Sequence, residues 1–128
     1  MPGIQFRVVP DREGDSGSFL TWFLPSQAHT EKAIAAFKEA GIFAGNFYWF
    51  ANNWHYIRKW DHLKNAISLY PLSEAQQNAL IALQHTDFSK SDAIMSKCIS
   101  TAISLLWTEE QVHEKGAKFL QVLQQTLS

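Results

Sequence analysis

At 128 residues the chain has the length of one domain and enough of it to bury one core. Apolar residues make up 46% and charged residues 18%, a balance that excludes an intrinsically disordered chain. A formal net charge of −1 leaves no electrostatic footprint for nucleic acid or an anionic membrane surface, and a lone cysteine, Cys98, excludes an internal disulfide.

The stretch from Met1 to Arg7 has no apolar run of signal-peptide length, so a cytoplasmic location is expected. Ile4-Gln5-Phe6-Arg7-Val8-Val9 alternates apolar and polar, the pattern of a half-buried strand. Pro10 stops it, and residues 11–18 form a polar, glycine-bearing loop. Phe19-Leu20-Thr21-Trp22-Phe23-Leu24 is apolar on both faces and predicts a central strand. Pro25 ends that strand, and Ser26 caps a helix with Ala33, Ile34, Phe37 and Ala40 on one face. Gly41 suits the left-handed residue after a helix end, with Ile42 folding back on Phe37 as in a Schellman stop.

Gly45-Asn46-Phe47-Tyr48-Trp49-Phe50 reads as a further strand. Over residues 54–69, Tyr56, Trp60, Leu63 and Ile67 recur at helical spacing. Ser73 with Gln76, and Ser89 with Asp92, form capping-box patterns that open two short helices. Ile99 to Leu106 predicts the last strand. Thr108 with Gln111 makes another capping box, Glu109 and Glu110 complement the positive helix end, and Trp107 staples onto Val112. Val112, Phe119, Leu120, Leu123 and Leu127 form the buried stripe of that helix, and Gly116 sits within it at a cost of roughly 1 kcal/mol relative to alanine. No repeat, low-complexity tract or linker interrupts the chain. The expected fold is a single soluble α+β domain, a small antiparallel sheet of about three to four strands packed with helices.

The residues that bear chemistry each admit a plainer reading. His55 and His62 share a helical face with Arg58 and Lys59. Seven helical residues separate two side chains by about 10.5 Å along the axis, too far for both to ligate one zinc ion. Two readings of this face stand: a cationic pocket wall for a carboxylate or phosphate, and a solvated basic face. Cys98 beside Ile99 reads as buried packing before it reads as a nucleophile. Gly14-Asp15-Ser16-Gly17-Ser18 lacks the lysine of a phosphate-binding loop and reads as a turn before it reads as an anion nest. Phe47-Tyr48-Trp49-Phe50 lacks the basic and glycine spacing of a base-stacking strand, which leaves core packing or the lining of a cleft. No complete catalytic constellation emerges from the residues alone.

Phe47 to Trp60, Leu69-Tyr70-Pro71-Leu72-Ser73 and Trp107-Thr108-Glu109-Glu110-Gln111-Val112 together resemble the C-terminal part of the DegT/DnrJ/StrS family of pyridoxal-phosphate-dependent sugar aminotransferases. His55-Tyr56-Ile57-Arg58-Lys59-Trp60 is similar to the second half of the family stretch His-Tyr-Pro-x-Pro-x-His-Leu-x-x-x-Tyr, with Trp60 at the tyrosine. Trp49, Phe50, Ala51, Asn52 and Asn53 stand where the family carries its prolines and first histidine. Gly14-Asp15-Ser16-Gly17-Ser18-Phe19, Asn53-Trp54-His55-Tyr56 and the run Thr86-Asp87-Phe88-Ser89 to Ser96 resemble a subgroup that aminates an eight-carbon sugar acid, the 8-amino-3,8-dideoxy-octulosonate transaminases.

The resemblance implies a fold like the small domain of fold-type I aminotransferases, without the large domain. In the family that large domain holds the Schiff-base lysine, the aspartate on the pyridinium nitrogen and the phosphate site. It therefore implies no catalytic, cofactor-binding or metal residue in this chain, pyridoxal phosphate in the intact enzyme, and no activity for the chain alone. The implied role is closure of the substrate cleft for amino transfer from glutamate to a sugar aldehyde or ketone. Tyr48, Trp49, Asn53, His55 and Arg58 are the implied substrate contacts, with Arg58 and His55 reaching anionic or hydroxyl groups. The alternative is a non-catalytic binding module that keeps the small-domain fold. The expected partners are the missing large domain and, through an uncovered aromatic surface between Phe47 and Trp60, a second copy of the chain. Neither nucleic acid nor a membrane is expected.

Overall fold

The apolar run at residues 19–23 is flanked by strands on both sides. The computed structural model describes residues 3–42, 48–51 and 56–127. Strand β2 (Phe19–Phe23) pairs antiparallel with β1 (Gln5–Phe6) and with β3 (Cys98–Ala102), giving the sheet order β1-β2-β3. β2 is thus hydrogen-bonded along both edges, but only its second half is covered: Trp22 is buried, whereas Phe19 and Leu20 are 57 and 40% exposed. The register places Phe6 opposite Trp22 and Trp22 opposite Ile99, so these three share one face. Phe23 opposite Cys98 and Thr21 opposite Ser100 take the other.

β1 is shorter than the alternation of residues 4–9 predicts. One further ladder bond, from the Arg7 N–H to the Thr21 carbonyl at 3.1 Å, extends it before the chain leaves for the 11–18 loop. That loop is closed by its own carboxylates. Asp11 accepts the N–H groups of Glu13 and Gly14 at 3.1 and 3.0 Å, Asp15 accepts that of Gly17 at 2.8 Å, and Asp15 also pairs with Arg7.

Helices α1 (Gln27–Glu39) and α6 (Glu109–Leu127) cover the Trp22 face. Between them and the sheet lie Trp22, Leu24, Ala33, Phe37, Ile99, Val122 and Leu123, all buried. The Phe37 ring meets Trp22 edge-on at 6.2 Å and Phe119 at 4.9 Å. The Trp22 indole donates to Thr101 Oγ1 at 3.2 Å, which satisfies its polar edge inside the core. Lys32 reaches across from α1 to donate to the Thr126 carbonyl at 3.0 Å, a cation at the negative end of α6.

The helix boundaries follow local chemistry. Ser26 accepts the His29 N–H at 3.3 Å at the start of α1. Gly41, at φ +67°, ends it, and the Ile42 N–H returns to the Phe37 carbonyl at 2.8 Å, completing the expected Schellman stop. The Thr108 capping box forms in both directions, with Thr108 N–H to Gln111 Oε1 at 3.0 Å and Gln111 N–H to Thr108 Oγ1 at 3.3 Å. The buried stripe of α6 is narrower than its sequence suggests. Val122, Leu123 and Thr126 are buried, whereas Val112 and Leu120 are half exposed. α6 has 19 residues against 13 in α1, its buried residues lie in its last two turns, and Val112 in its first turn is left half exposed.

On the side of β3, α2 (Tyr48–Ala51) is a helical turn packed on β3 and on α5 (Ser89–Met95), in place of the strand expected over residues 45–50. A short run of consecutive aromatics satisfies both the strand and the helix period, and the packing surface decides between them. α3 (Asp61–Lys64) and α4 (Glu74–Gln84) form an arm beside this layer. Among the described residues, no helix is long and apolar enough to cross a membrane.

Candidate functional site

The helix expected over residues 54–69 is broken at Trp60. Ile57–Lys59 form one 3-10 turn, Trp60 adopts φ −86° and ψ 81°, and α3 begins at Asp61. The break has a consequence for Arg58. Residues two apart on a straight helix point to different sides. Here extended Tyr56 and the 3-10 turn that follows it bring Tyr56 and Arg58 onto one carboxylate. The Tyr56 hydroxyl donates to Asp92 Oδ1 at 2.6 Å, and Arg58 Nη1 donates to Asp92 Oδ2.

Asp92 had a different expected job, as the capping-box partner of Ser89. No such box forms, because Phe88 occupies the cap position and Ser89 is the first helical residue, held instead by Asp87. Asp87 accepts the Ser89 N–H at 2.8 Å and the Ser89 hydroxyl at 2.9 Å. These bonds, with a smaller contribution from the Arg58 charge, hold the Asp87 carboxyl below the usual carboxylate range. Asp92 is thereby left to Tyr56 and Arg58. Tyr56 is buried, with Phe50 at 6.4 Å and Phe88 edge-on at 6.2 Å, and Lys59 lies 5.3 Å above the Phe50 ring.

Arg58 stands at the wall of an open cavity of about 670 Å³. Lys64 supplies a second cation and Asp87 a carboxylate, Asn65 and Gln84 supply amides, and Leu83 and Phe88 supply apolar surface. The arm sets this wall. Gln84 Nε2 donates to the Lys64 carbonyl, tying α4 to α3. α3 stops in a Schellman geometry, with the Ile67 N–H on the His62 carbonyl at 2.8 Å and Ala66 at φ +52°. Lys64 pairs with Asp61 at 2.6 Å, which lowers the Asp61 carboxyl below its ordinary range.

Of the residues expected to contact substrate, Arg58 lines this cavity. Tyr48 and Trp49 belong to α2, which packs on α5, while Asn53 and His55 lie outside the described residues. His62 stays exposed and stacks on Trp60 at 6.0 Å. Sequence reasoning passed over Lys64, Asn65 and Gln84. Two walls joined by a bond 20 residues apart leave no local signature.

The competing sites resolve toward their plainer readings. Three amides of the 11–18 loop are already accepted by Asp11 and Asp15, so it is a self-closed turn. Cys98 is buried, and burial pushes its thiol pKa up, away from the thiolate needed for nucleophilic attack. Among the described residues, no three His, Cys, Asp or Glu side chains gather as a metal site. In the 47–60 stretch, Tyr56 is buried, and Phe50 and Trp60 are partly so. No protein-family model matches the chain.

Proposed function

We propose that this chain is the small, cleft-closing domain of a pyridoxal-phosphate-dependent sugar aminotransferase whose cofactor is held by a separate large domain. The observation that carries the reading is Arg58 at the cavity wall, held from behind by Asp92, which Tyr56 also bonds. An arginine held by a fixed carboxylate is already oriented before ligand arrives, so less side-chain entropy is lost on binding. The rest of the lining suits a polyhydroxylated ligand. Amides and a carboxylate offer donors and acceptors to hydroxyl groups, and Phe88 offers an apolar face to a sugar ring. The three-stranded antiparallel sheet with helices agrees with a small-domain role.

The described residues do not fit pyridoxal phosphate as its own seat. Lys64, the lysine at the cavity, has a side chain 38% exposed and paired with Asp61. A nucleophilic lysine is instead activated by desolvation or a neighbouring cation. This chain would bind and orient the sugar, and the large domain would supply the cofactor and the amino transfer from glutamate. The second reading, a sugar-binding module without catalysis, is favoured by a cavity whose described lining runs from Arg58 to Phe88 of this chain.

The test is reconstitution with a family large domain from which its own small domain has been removed. Addition of this chain should restore glutamate-dependent amination of a keto sugar, and Arg58→Ala should lower that turnover tenfold or more, by about 1.4 kcal/mol of transition-state stabilisation. Sugar binding to the chain alone without restored turnover supports the second reading. Absence of both complex formation and sugar binding overturns the two.

A further inference from the structure

The arm of α3, α4 and the loop between them leaves apolar surface uncovered. α4 buries none of its residues. Ile67, Leu69, Tyr70 and Ile81 are 66, 98, 81 and 52% exposed. A scattered exposed leucine needs no explanation, but four such side chains on one loop and its facing helix do. Beside them lies a groove of about 390 Å³, walled by Tyr70, Leu72, Gln77 and Ile81. Leu69 stands almost wholly in water next to this groove, outside its lining.

We infer that this arm docks on the same arm of a second copy of the chain, Leu69 of each entering the groove of the other across a two-fold axis. A two-fold contact requires one patch to carry both halves of its own complement, and here projection and groove lie within residues 66–81. Charge agrees. From Asn65 to Leu83 the sequence carries one charged residue, Glu74, so two copies meet with little like-charge repulsion. A partner recognised by charge would find almost nothing to read.

Area agrees as well. The four side chains leave on the order of 500 Å² in water per copy, at the upper end of what a monomer exposes. Two copies together bring about 1,000 Å², the lower limit of a specific interface. The dimer is therefore weak and concentration-dependent, because ordering and lost rotational freedom offset most of the gain.

Sedimentation velocity on the full chain, over about a hundredfold range of concentration, reads this directly. The unaltered chain should move from the monomer toward the dimer value. Leu69→Asp should remain monomeric throughout with its melting temperature unchanged at low concentration, since Leu69 is not part of the core. Leu106→Asp, exposed but outside the arm, should associate like the unaltered chain. Should Leu69→Asp lose helical circular dichroism, Tyr70→Ser takes its place with the same expectation. A unaltered chain monomeric at every concentration overturns the inference, including the case where the arm instead captures an aminotransferase large domain. So does a dimer that survives the Leu69 and Tyr70 changes.

Discussion

Replacing Asp92 by alanine should destabilise the chain more than Tyr56→Phe, and Tyr56→Phe more than Arg58→Ala. The order follows from burial. Tyr56 is buried and its hydroxyl donates to a carboxylate at 2.6 Å, a charge-assisted bond. Such bonds contribute about 1.5–3 kcal/mol net. The Arg58 side chain is 49% exposed and that of Asp92 26%, so solvent screens the ion pair to about 0.5 kcal/mol. Tyr56→Phe removes one bond but leaves Asp92 its arginine and some water, which limits the loss to about 1–1.5 kcal/mol. Asp92→Ala removes the one acceptor shared by Tyr56 and Arg58 and leaves a part-buried hydroxyl without it, for about 2–3 kcal/mol. Urea denaturation of the three variants and of the Tyr56→Phe/Asp92→Ala double variant measures these losses, with a coupling near 1 kcal/mol expected between the two sites. A coupling indistinguishable from zero would mean that the hydroxyl does not bond the carboxylate. An Arg58→Ala loss equal to that of Asp92→Ala would mean that the ion pair, and not the buried bond, holds the cluster.

Two changes on α6 should act in opposite directions in the same denaturation assay. Thr108→Ala breaks a capping box and should lower stability by about 1 kcal/mol. Gly116→Ala adds a Cβ that meets nothing within 4 Å and should raise stability by up to about 1 kcal/mol; no gain would mean that the first turns of α6 fray. Ala66→Gly relieves a left-handed alanine at φ +52° and should stabilise by about 1 kcal/mol, whereas a loss would place Ala66 in another conformation. Asp15 is held below its ordinary 3.8 first by the Gly17 N–H and then by Arg7. A depressed folded-state pKa favours folding above the ordinary carboxylate range, and that contribution is lost as pH falls through the folded value. A carboxyl NMR titration should find the Asp15 midpoint below 3.8 and raised in Arg7→Gln; a midpoint at or above 3.8 contradicts the loop geometry.

The helix ends were legible in the sequence because their chemistry is complete within a few residues. Ser26, Ser73 and Thr108 each bond an amide three positions on, and Gly41 satisfies a stop through Ile42. The central place of Phe19–Phe23 was legible too, since its apolar run marked the middle strand of the sheet, although Phe19 and Leu20 stay exposed. Local pattern misjudged Ser89 and Asp92, where a capping signature was present but Phe88 took the cap position and Asp92 met distant partners.

Tertiary structure alone decided the candidate site. Asp92 meets Tyr56 and Arg58 across 36 and 34 positions of chain, and Gln84 meets Lys64 across 20. No residue spacing encodes such meetings. The break at Trp60 that aims both Tyr56 and Arg58 at one carboxylate overrides a helical period that the apolar residues state plainly. The aromatic run at residues 48–50 became a helical turn for the same reason, since its period was ambiguous and the surface of β3 and α5 chose. Thus the sequence by itself determined where backbone hydrogen bonds begin and end, because those bonds are local. Which side chains converge on the cavity, and which apolar residues stay in water, depended on how the arm and the sheet pack, because burial is a property of neighbours distant in the chain.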